Sequence, residues 1–286
     1  MKRRLLHFTF LLCAVFFPAT FLVAFQASTT TKQTNILYDG TLGGTPSTQG
    51  FEFLAFGSQA EQRFANGITT LDTMPSRSDL AGYFIGEKFS LDRALGYELQ
   101  FTIQIQDEAH ADRDRAGFSI IILSEDLSGI ELGFWTNEIW AQEGGTDRLF
   151  KHAEGVAFNT ISDLITYRLA ISGDMYTLLA NDSQILTGPL RDYTAFINTI
   201  DPYETPNFLF LGDNTTKAQA KSDIAYVALE AAVLAPDTPT PTATNTATVT
   251  ATARLSATPT ITPTPAPQPT RVNFWWRAYT SGYPSP

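Results

Sequence analysis

The segment GYELQFTIQIQ, residues 96–106, alternates between apolar and polar positions without a break. Tyr97, Leu99, Phe101, Ile103 and Ile105 fall on one side, and Glu98, Gln100, Thr102, Gln104 and Gln106 on the other. A period of two marks a β-strand with one buried face, because successive side chains leave a pleated strand in opposite directions. Comparable strand signals are AGFSIIILSED, GIELGFW, EIWAQ, LITYRLAISGDMYTLLANDSQIL, NFLFLG and SDIAYVALEAAV. Gly173-Asp174 and Asn181-Asp182 lie between apolar runs, where hairpin turns belong. Helical periodicity is scarce; its best instance is a short stretch from Gln59 to Ala65. Many short strands separated by turns predict an all-β chain, a two-sheet antiparallel β-sandwich of jelly-roll type.

The pattern stops at both ends. MKRR is followed by an apolar stretch from Leu5 to Phe25 and then by AFQAST. This is the layout of a secretory signal peptide over residues 1–27. The apolar part also approaches the roughly 20 residues that cross a bilayer, so an uncleaved N-terminal anchor is the alternative. Phe25 occupies the minus-three place of a cleavage before Ser28, where a small residue is preferred. Cys13 is the only cysteine, and Leu12 before it argues against a lipoprotein signal. The exported part therefore has no internal disulfide and no thiol chemistry. A domain of about 200 residues buries enough surface without disulfides. Export without cysteine points to a bacterial envelope protein, secreted or displayed at the cell surface.

The predicted sandwich domain covers residues 28–235. Beyond it, residues 236–270 are nearly all Thr, Pro and Ala, a composition that favours extended polyproline conformation and cannot build a core. That segment reads as a disordered, semi-rigid stalk. A short aromatic tail, residues 271–286, follows with Phe274, Trp275, Trp276 and Tyr279.

Between Ser28 and Ala235 there are 28 acidic against 13 basic residues, a balance of −15. Nucleic acid is excluded as a partner, since its binders need cationic surface to neutralise phosphates. Contact with a membrane is expected only through the N-terminal segment, if it is uncleaved. The chain is expected to be a monomer.

The order of YELQFTIQI, RAGFSIIIL, GIELGFWTNEIWAQEGG, YRLAISGDMYTLLANDSQIL and NFLFLGDNTTKAQAKSDIAYVALE resembles the concanavalin A-like lectin/glucanase fold, in its laminin-G-like bacterial surface-protein branch. The resemblance runs from Asn35 to Leu229. Tyr176 and Asn181 match the branch's Y-x-L-x-x-N-G hairpin, with Asp182 in place of the glycine. The opening NILYDGTLGGTPSTQGFEFLAFG is similar to that of bacterial surface proteins. The resemblance implies the sandwich fold, which hosts lectins, glycosidases and adhesion modules alike.

GIELGFWTNEIWAQEGG, residues 129–145, carries the candidate chemistry. With Asn137-Glu138 as a hairpin turn, Trp135 faces Trp140 and Gly133 faces Gln142. One face then holds Glu131, Gly133, Trp135, Trp140 and Gln142; the other holds Ile130, Leu132, Phe134, Ile139 and Ala141 and is the core side. Glycosidase carboxylates stand roughly 5–9.5 Å apart across the scissile bond. Glu131 and Glu138 are seven positions apart, on the order of 20 Å along a straight strand. The glucanase E-x-D-x-x-E or E-x-D-x-E motif is missing too, with Gly133 at the aspartate place. No catalytic residue is therefore assigned. Trp135, Trp140, Glu131 and Gln142 form a candidate carbohydrate-binding surface, with indoles to stack on sugar rings and polar groups to bond hydroxyls. The alternative is a cross-strand Trp pair that only holds the sheet together.

Two oxygen-rich segments complete the candidates. DEAHADRDR, residues 107–115, reads as a solvated charged loop, since its spacing departs from the D-x-D-x-D-G calcium pattern. In LGDNTT, Asp213 and Asn214 are candidate calcium ligands at the sandwich rim. The expected function is a non-catalytic extracellular binding or adhesion module, with glycans or another surface protein as partner. A glycan-active hydrolase is the alternative, and an envelope spacer without a small ligand the third reading.

Overall fold

The computed structural model describes residues 31–198 and 201–233. The N-terminal signal or anchor, the Thr/Pro-rich stalk and the aromatic tail lie outside the described residues. In chain order the strands are β1 (Thr31–Asp39), β2 (Glu52–Phe56), β3 (Glu61–Ala65), β4 (Ile68–Asp72), β5 (Leu80–Ile85), β6 (Tyr97–His110), β7 (Ser119–Leu123) and β8 (Gly129–Phe134). Then come β9 (Glu138–Gln142), β10 (His152–Ala157), β11 (Ile165–Ser172), β12 (Met175–Ala180), β13 (Ser183–Pro189), β14 (Phe208–Asp213) and β15 (Ala218–Val233).

They form two antiparallel sheets stacked as a β-sandwich. The eight-stranded sheet runs β13-β12-β11-β6-β15-β4-β3, and β1 also pairs with β15. The seven-stranded sheet runs β10-β9-β8-β7-β14-β5-β2. The alternation in β6 does what its pattern predicts: Tyr97, Leu99, Phe101, Ile103 and Ile105 are buried in the core between the sheets. From the other sheet they meet Ile120, Ile122, Ile130, Leu132, Phe134, Leu209 and Leu211. Asn181 and Asp182 form the β12–β13 turn with φ of 46° and 64°. Two positive φ values are the signature of a tight hairpin turn whose twist suits the flanking strands. Asp182 adopts there the backbone that a glycine takes without strain.

Two expectations need correction. Most of the stretch Gln59 to Ala65 is strand β3 (Glu61–Ala65), not helix, because Gln62 and Phe64 pair with Leu71 and Thr69 of β4. Pairing partners distant in sequence outweigh a short run's own preference. DEAHADRDR is not a free loop either. Its first four residues extend β6 against β15, and Asp114 is buried, accepting from Lys151 Nζ at 2.9 Å and from the His152 amide at 3.0 Å.

The seven-stranded sheet is apolar on its outer face as well. Phe84, Ile121, Leu123, Phe208 and Phe210 form a second cluster with Tyr193 and Tyr203. Leu149, Phe150 and Phe196 pack on it, so the segments after β9 and β13 roof this face. The roof is tied down at Arg191 and Tyr193. Arg191 and Gly129 exchange backbone hydrogen bonds of 2.7 and 2.9 Å, so the chain stands in as a strand beside β8 where β9 departs. The buried Tyr193 hydroxyl accepts from the Glu131 amide at 3.0 Å and donates to the Gln142 carbonyl at 2.9 Å. The Arg191 guanidinium, 8% exposed, bonds Glu143 Oε1 at 3.0 Å and grips Glu154 with two nitrogens. Burial works to raise the Glu154 carboxyl, but its bonds to Arg191 and Tyr176 outweigh this and hold it below its ordinary value.

Tyr193→Phe should cost about 1–3 kcal/mol, since it strands a buried N–H and a buried carbonyl together. Urea unfolding monitored by circular dichroism checks this; an unchanged midpoint would show that the Tyr193 hydroxyl is dispensable.

Candidate functional site

The hairpin of β8 and β9 keeps the predicted faces but not the predicted register. Leu132 pairs with Ala141, Gly133 with Trp140 and Phe134 with Ile139. The Trp135 amide donates to the Glu138 carbonyl at 2.9 Å, so Thr136-Asn137, not Asn137-Glu138, is the centre of the turn. A shift of two residues preserves side-chain parity, which is why the two faces survive.

The tryptophans do not form an open platform. Trp140 is 0% exposed, and its indole lies across Gly133, where an added Cβ would come within 2.9 Å of Cε2. Trp135 is half-buried and donates from Nε1 to the Arg115 carbonyl at 2.8 Å. Two histidines complete a stack. The His110 ring lies flat on Trp135 at 4.2 Å, and the His152 ring flat on Trp140, also at 4.2 Å. Trp135 and Trp140 themselves stand 5.4 Å apart and tilted. In place of the open surface expected from Trp135 and Trp140 there is a ring cluster with Trp140 buried, Trp135 and His152 half-buried and His110 at the exposed edge. The charged segment 107–115 and the start of β10 fold over the polar face and supply the two imidazoles.

The other four candidate residues come together. Glu131, Gln142, Asp213 and Asn214 all line a cavity of about 700 Å³ between the outer face of the seven-stranded sheet and its roof. That volume lies within the range of small-molecule sites. Sheet order explains the convergence: Glu131 on β8 and Gln142 on β9 are neighbours on the outer face, and Asp213 and Asn214 close β14. Phe84, Ile121, Phe208 and Phe210 give the cavity an apolar wall, with Leu54 and Phe56 at its half-buried edge. Gly82 is required here, since a Cβ would collide with the Phe210 ring folded against β5. Phe150, Phe196 and Tyr203 come from the roof, and Arg115 stands at the polar end. Arg115 Nη1 donates to the Asp114 and Phe150 carbonyls at 2.7 Å each, and the guanidinium lies 5.0 Å over the Phe150 ring.

Glu131 is fully buried and accepts from the Tyr203 hydroxyl and, at 2.9 Å, from Asn214 Nδ2. Burial pushes its carboxyl above the ordinary value, against the pull of those two bonds and of Arg115. Asp213 accepts from Thr73 Oγ1 at 2.7 Å and from the Thr215 amide at 3.1 Å. Burial raises it well above the ordinary value, and the nearby Glu108 and Asp79 charges add to the rise. Gln142 is 2% exposed, and its Oε1 has no hydrogen-bond partner among the described residues.

The pair Asp213 and Asn214 does not present a calcium cage. Calcium takes six to eight oxygen ligands, and here the Asp213 oxygens are turned to Thr73 Oγ1 and the Thr215 amide. No group of three or more His, Cys, Asp or Glu side chains among the described residues is placed to hold a metal ion.

No protein-family model matches the chain, and no curated protein does. Several solved structures are similar to it at low identity. A carbohydrate esterase from Shiga toxin-encoding bacteriophage phi24B is 13% identical, with a TM-score of 0.48 over 69% of this chain and 99% of that one. A Bacillus subtilis protein of unknown function with a galectin-like fold is 10% identical, with a TM-score of 0.45 over 72% of this chain and 99% of that one. The VIP36 exoplasmic/lumenal domain in its Ca2+/Man-bound form is 12% identical, with a TM-score of 0.41 over 68% and 88%.

Glu131 and Asp213 both hold their protons more tightly in the folded than in the unfolded chain. The folded state then binds more protons from the ordinary carboxylate value, about 4, up to each raised value, and stability falls as pH rises through that window. Glu131→Gln and Asp213→Asn remove this loss. Each variant should gain on wild type as pH climbs above about 4 and then level off. Urea midpoints across pH measure the difference; a difference independent of pH would overturn the assignment.

Proposed function

We propose that this chain is a non-catalytic binding or adhesion module of a bacterial surface, and that its ligand site is the cavity on the outer face of the seven-stranded sheet. Carbohydrate is the ligand class that the lining suits. Aromatic and aliphatic side chains offer an apolar face, while Arg115, Asn214 and Thr216 offer accessible polar groups beside it. The observation that carries the reading is the cavity itself, about 700 Å³, walled by half-buried Leu54, Phe56, Phe150 and Phe196 with half-buried Arg115 and Asn214 at its polar end.

Kinship with laminin-G-like surface proteins belongs to the proposal and rests on the Tyr176–Asn181 hairpin. Export and surface display rest on the basic, then apolar, N-terminal segment and the Thr/Pro-rich stretch. The non-catalytic reading is supported by the lining, where no Ser, His or Cys stands among the described residues, and by the full bonding of both cavity acids.

The runner-up, a glycan hydrolase, draws on one feature. Glu131 is a buried carboxyl raised above its ordinary value, the state a general acid needs. Hydrolysis of a β-glucan panel, abolished by Glu131→Gln, would favour it.

A glycan array followed by calorimetry tests the binding reading. Phe56→Ala, at the half-buried edge of the cavity, should weaken the interaction by about tenfold or more. Trp135→Ala should leave it within about twofold, because Trp135 does not line the cavity. An array without hits, or full affinity in Phe56→Ala, would sink the proposal. Binding that stops when EDTA is added would bring calcium back.

A further inference from the structure

The charges that line the cavity divide by accessibility. Glu131 and Asp213 are buried, with their oxygens turned to Tyr203, Asn214, Thr73 and the Thr215 amide. The two charged side chains of the lining that reach solvent are both cationic, half-buried Arg115 and exposed Lys217. They run against the balance of a domain with 28 acidic and 13 basic residues. A cleft lined by one sign of charge concentrates ligands of the other.

Arg115 also stands out by its partners. Arg93, Arg168 and Arg191 are the other arginines among the described residues that are sheltered from solvent. Each has a carboxylate oxygen beside it, at 2.8, 3.4 and 3.0 Å. Arg115 instead turns Nη1 to two backbone carbonyls, and its neighbour Asp114 is turned to Lys151 and the His152 amide. Among the described residues, no carboxylate pairs with Arg115, and its Nε and Nη2 carry no hydrogen bond. Those two nitrogens form one edge of the guanidinium, where parallel N–H bonds match the two oxygens of a carboxylate. The group is held in place by its Nη1 bonds and by the Phe150 ring, 5.0 Å away. Half-buried Phe150 and Phe196, with ring centres 5.3 Å apart, supply apolar surface next to it. Burial raises the Glu131 and Asp213 carboxyls above their ordinary values, which lessens their opposition to an incoming anion.

Resting on the carbohydrate reading above, we infer that the cavity selects an acidic sugar, its carboxylate held by the Nε–Nη2 edge of Arg115 and its ring beside Phe150 and Phe196. Lys217 adds attraction for the same negative charge from the exposed end of the lining.

Calorimetry on the full chain with paired probes tests this: the methyl glycosides of glucuronate and glucose, and of galacturonate and galactose. In about 0.05 M salt the acid member of a pair should bind about tenfold tighter or more, as charge-assisted hydrogen bonds require. Raising salt to about 0.5 M should narrow that gap and leave the neutral member unchanged. Arg115→Gln should close the gap and keep the neutral member within about twofold, which a collapsed cavity would not do. Lys217→Ala, at an exposed position, should narrow the gap by about two- to threefold and serves if Arg115→Gln does not fold. Equal affinity within every pair, or a gap that salt and both variants leave unchanged, overturns this inference and leaves the carbohydrate proposal standing. Benzoate binding as tightly as the uronides overturns both, as does a panel in which nothing binds.

Discussion

The seven-stranded sheet carries apolar side chains on both faces, and this constraint organises the rest of the molecule. A sheet of that kind has to be covered twice, because apolar area left in water costs roughly 25 cal/mol per Å². One cover is the eight-stranded sheet, whose alternating strands turn their apolar side inward and keep Glu98, Gln100 and Thr102 on the outside. The other is assembled from irregular chain after β9 and β13, with Phe150, Phe196, Tyr193 and Tyr203 as its underside. Irregular chain cannot match a pleated face as closely as a second sheet does, and the cavity is the space left between them.

The anchoring of that roof joins stability to the site. Tyr193 bonds the backbone of Glu131 and Gln142, the two residues that define the polar end of the cavity. Arg191 fixes the same segment to β8 through the backbone and to Glu143 and Glu154 through its guanidinium. Burial opposes the Arg191 charge, but its carboxylate partners keep it above its ordinary value, so the clamp stays charged. The shape of the cavity therefore depends on buried polar contacts whose loss would loosen roof and site together.

Parity was the legible part of the candidate site. The face shared by Glu131, Gly133, Trp135, Trp140 and Gln142 follows from counting along GIELGFWTNEIWAQ, and a two-residue error in the register left it intact. Exposure was not legible. The polar face looked open to solvent because the segments that cover it, residues 107–115 and the start of β10, come from elsewhere in the sequence. The His110 and His152 imidazoles that flank the tryptophans lie forty-two residues apart. One available signal went further: SIIIL in β7 and FLFL in β14 do not alternate, which marks strands buried on both faces. That pattern already called for a third layer over the sheet.

The sequence by itself determined the all-β class, the buried face of each alternating strand and the Asn181-Asp182 turn. Each rests on a local rule, the two-residue period of a strand or the backbone that a turn residue tolerates. Only the tertiary structure decided that Trp140 is buried, that Glu131 and Gln142 meet Asp213 and Asn214 at one cavity, and that Gln142 Oε1 lacks a partner among the described residues. Sheet order and roof placement bring those groups together across some seventy residues of chain, and the global packing that sets them has no local signature in the sequence.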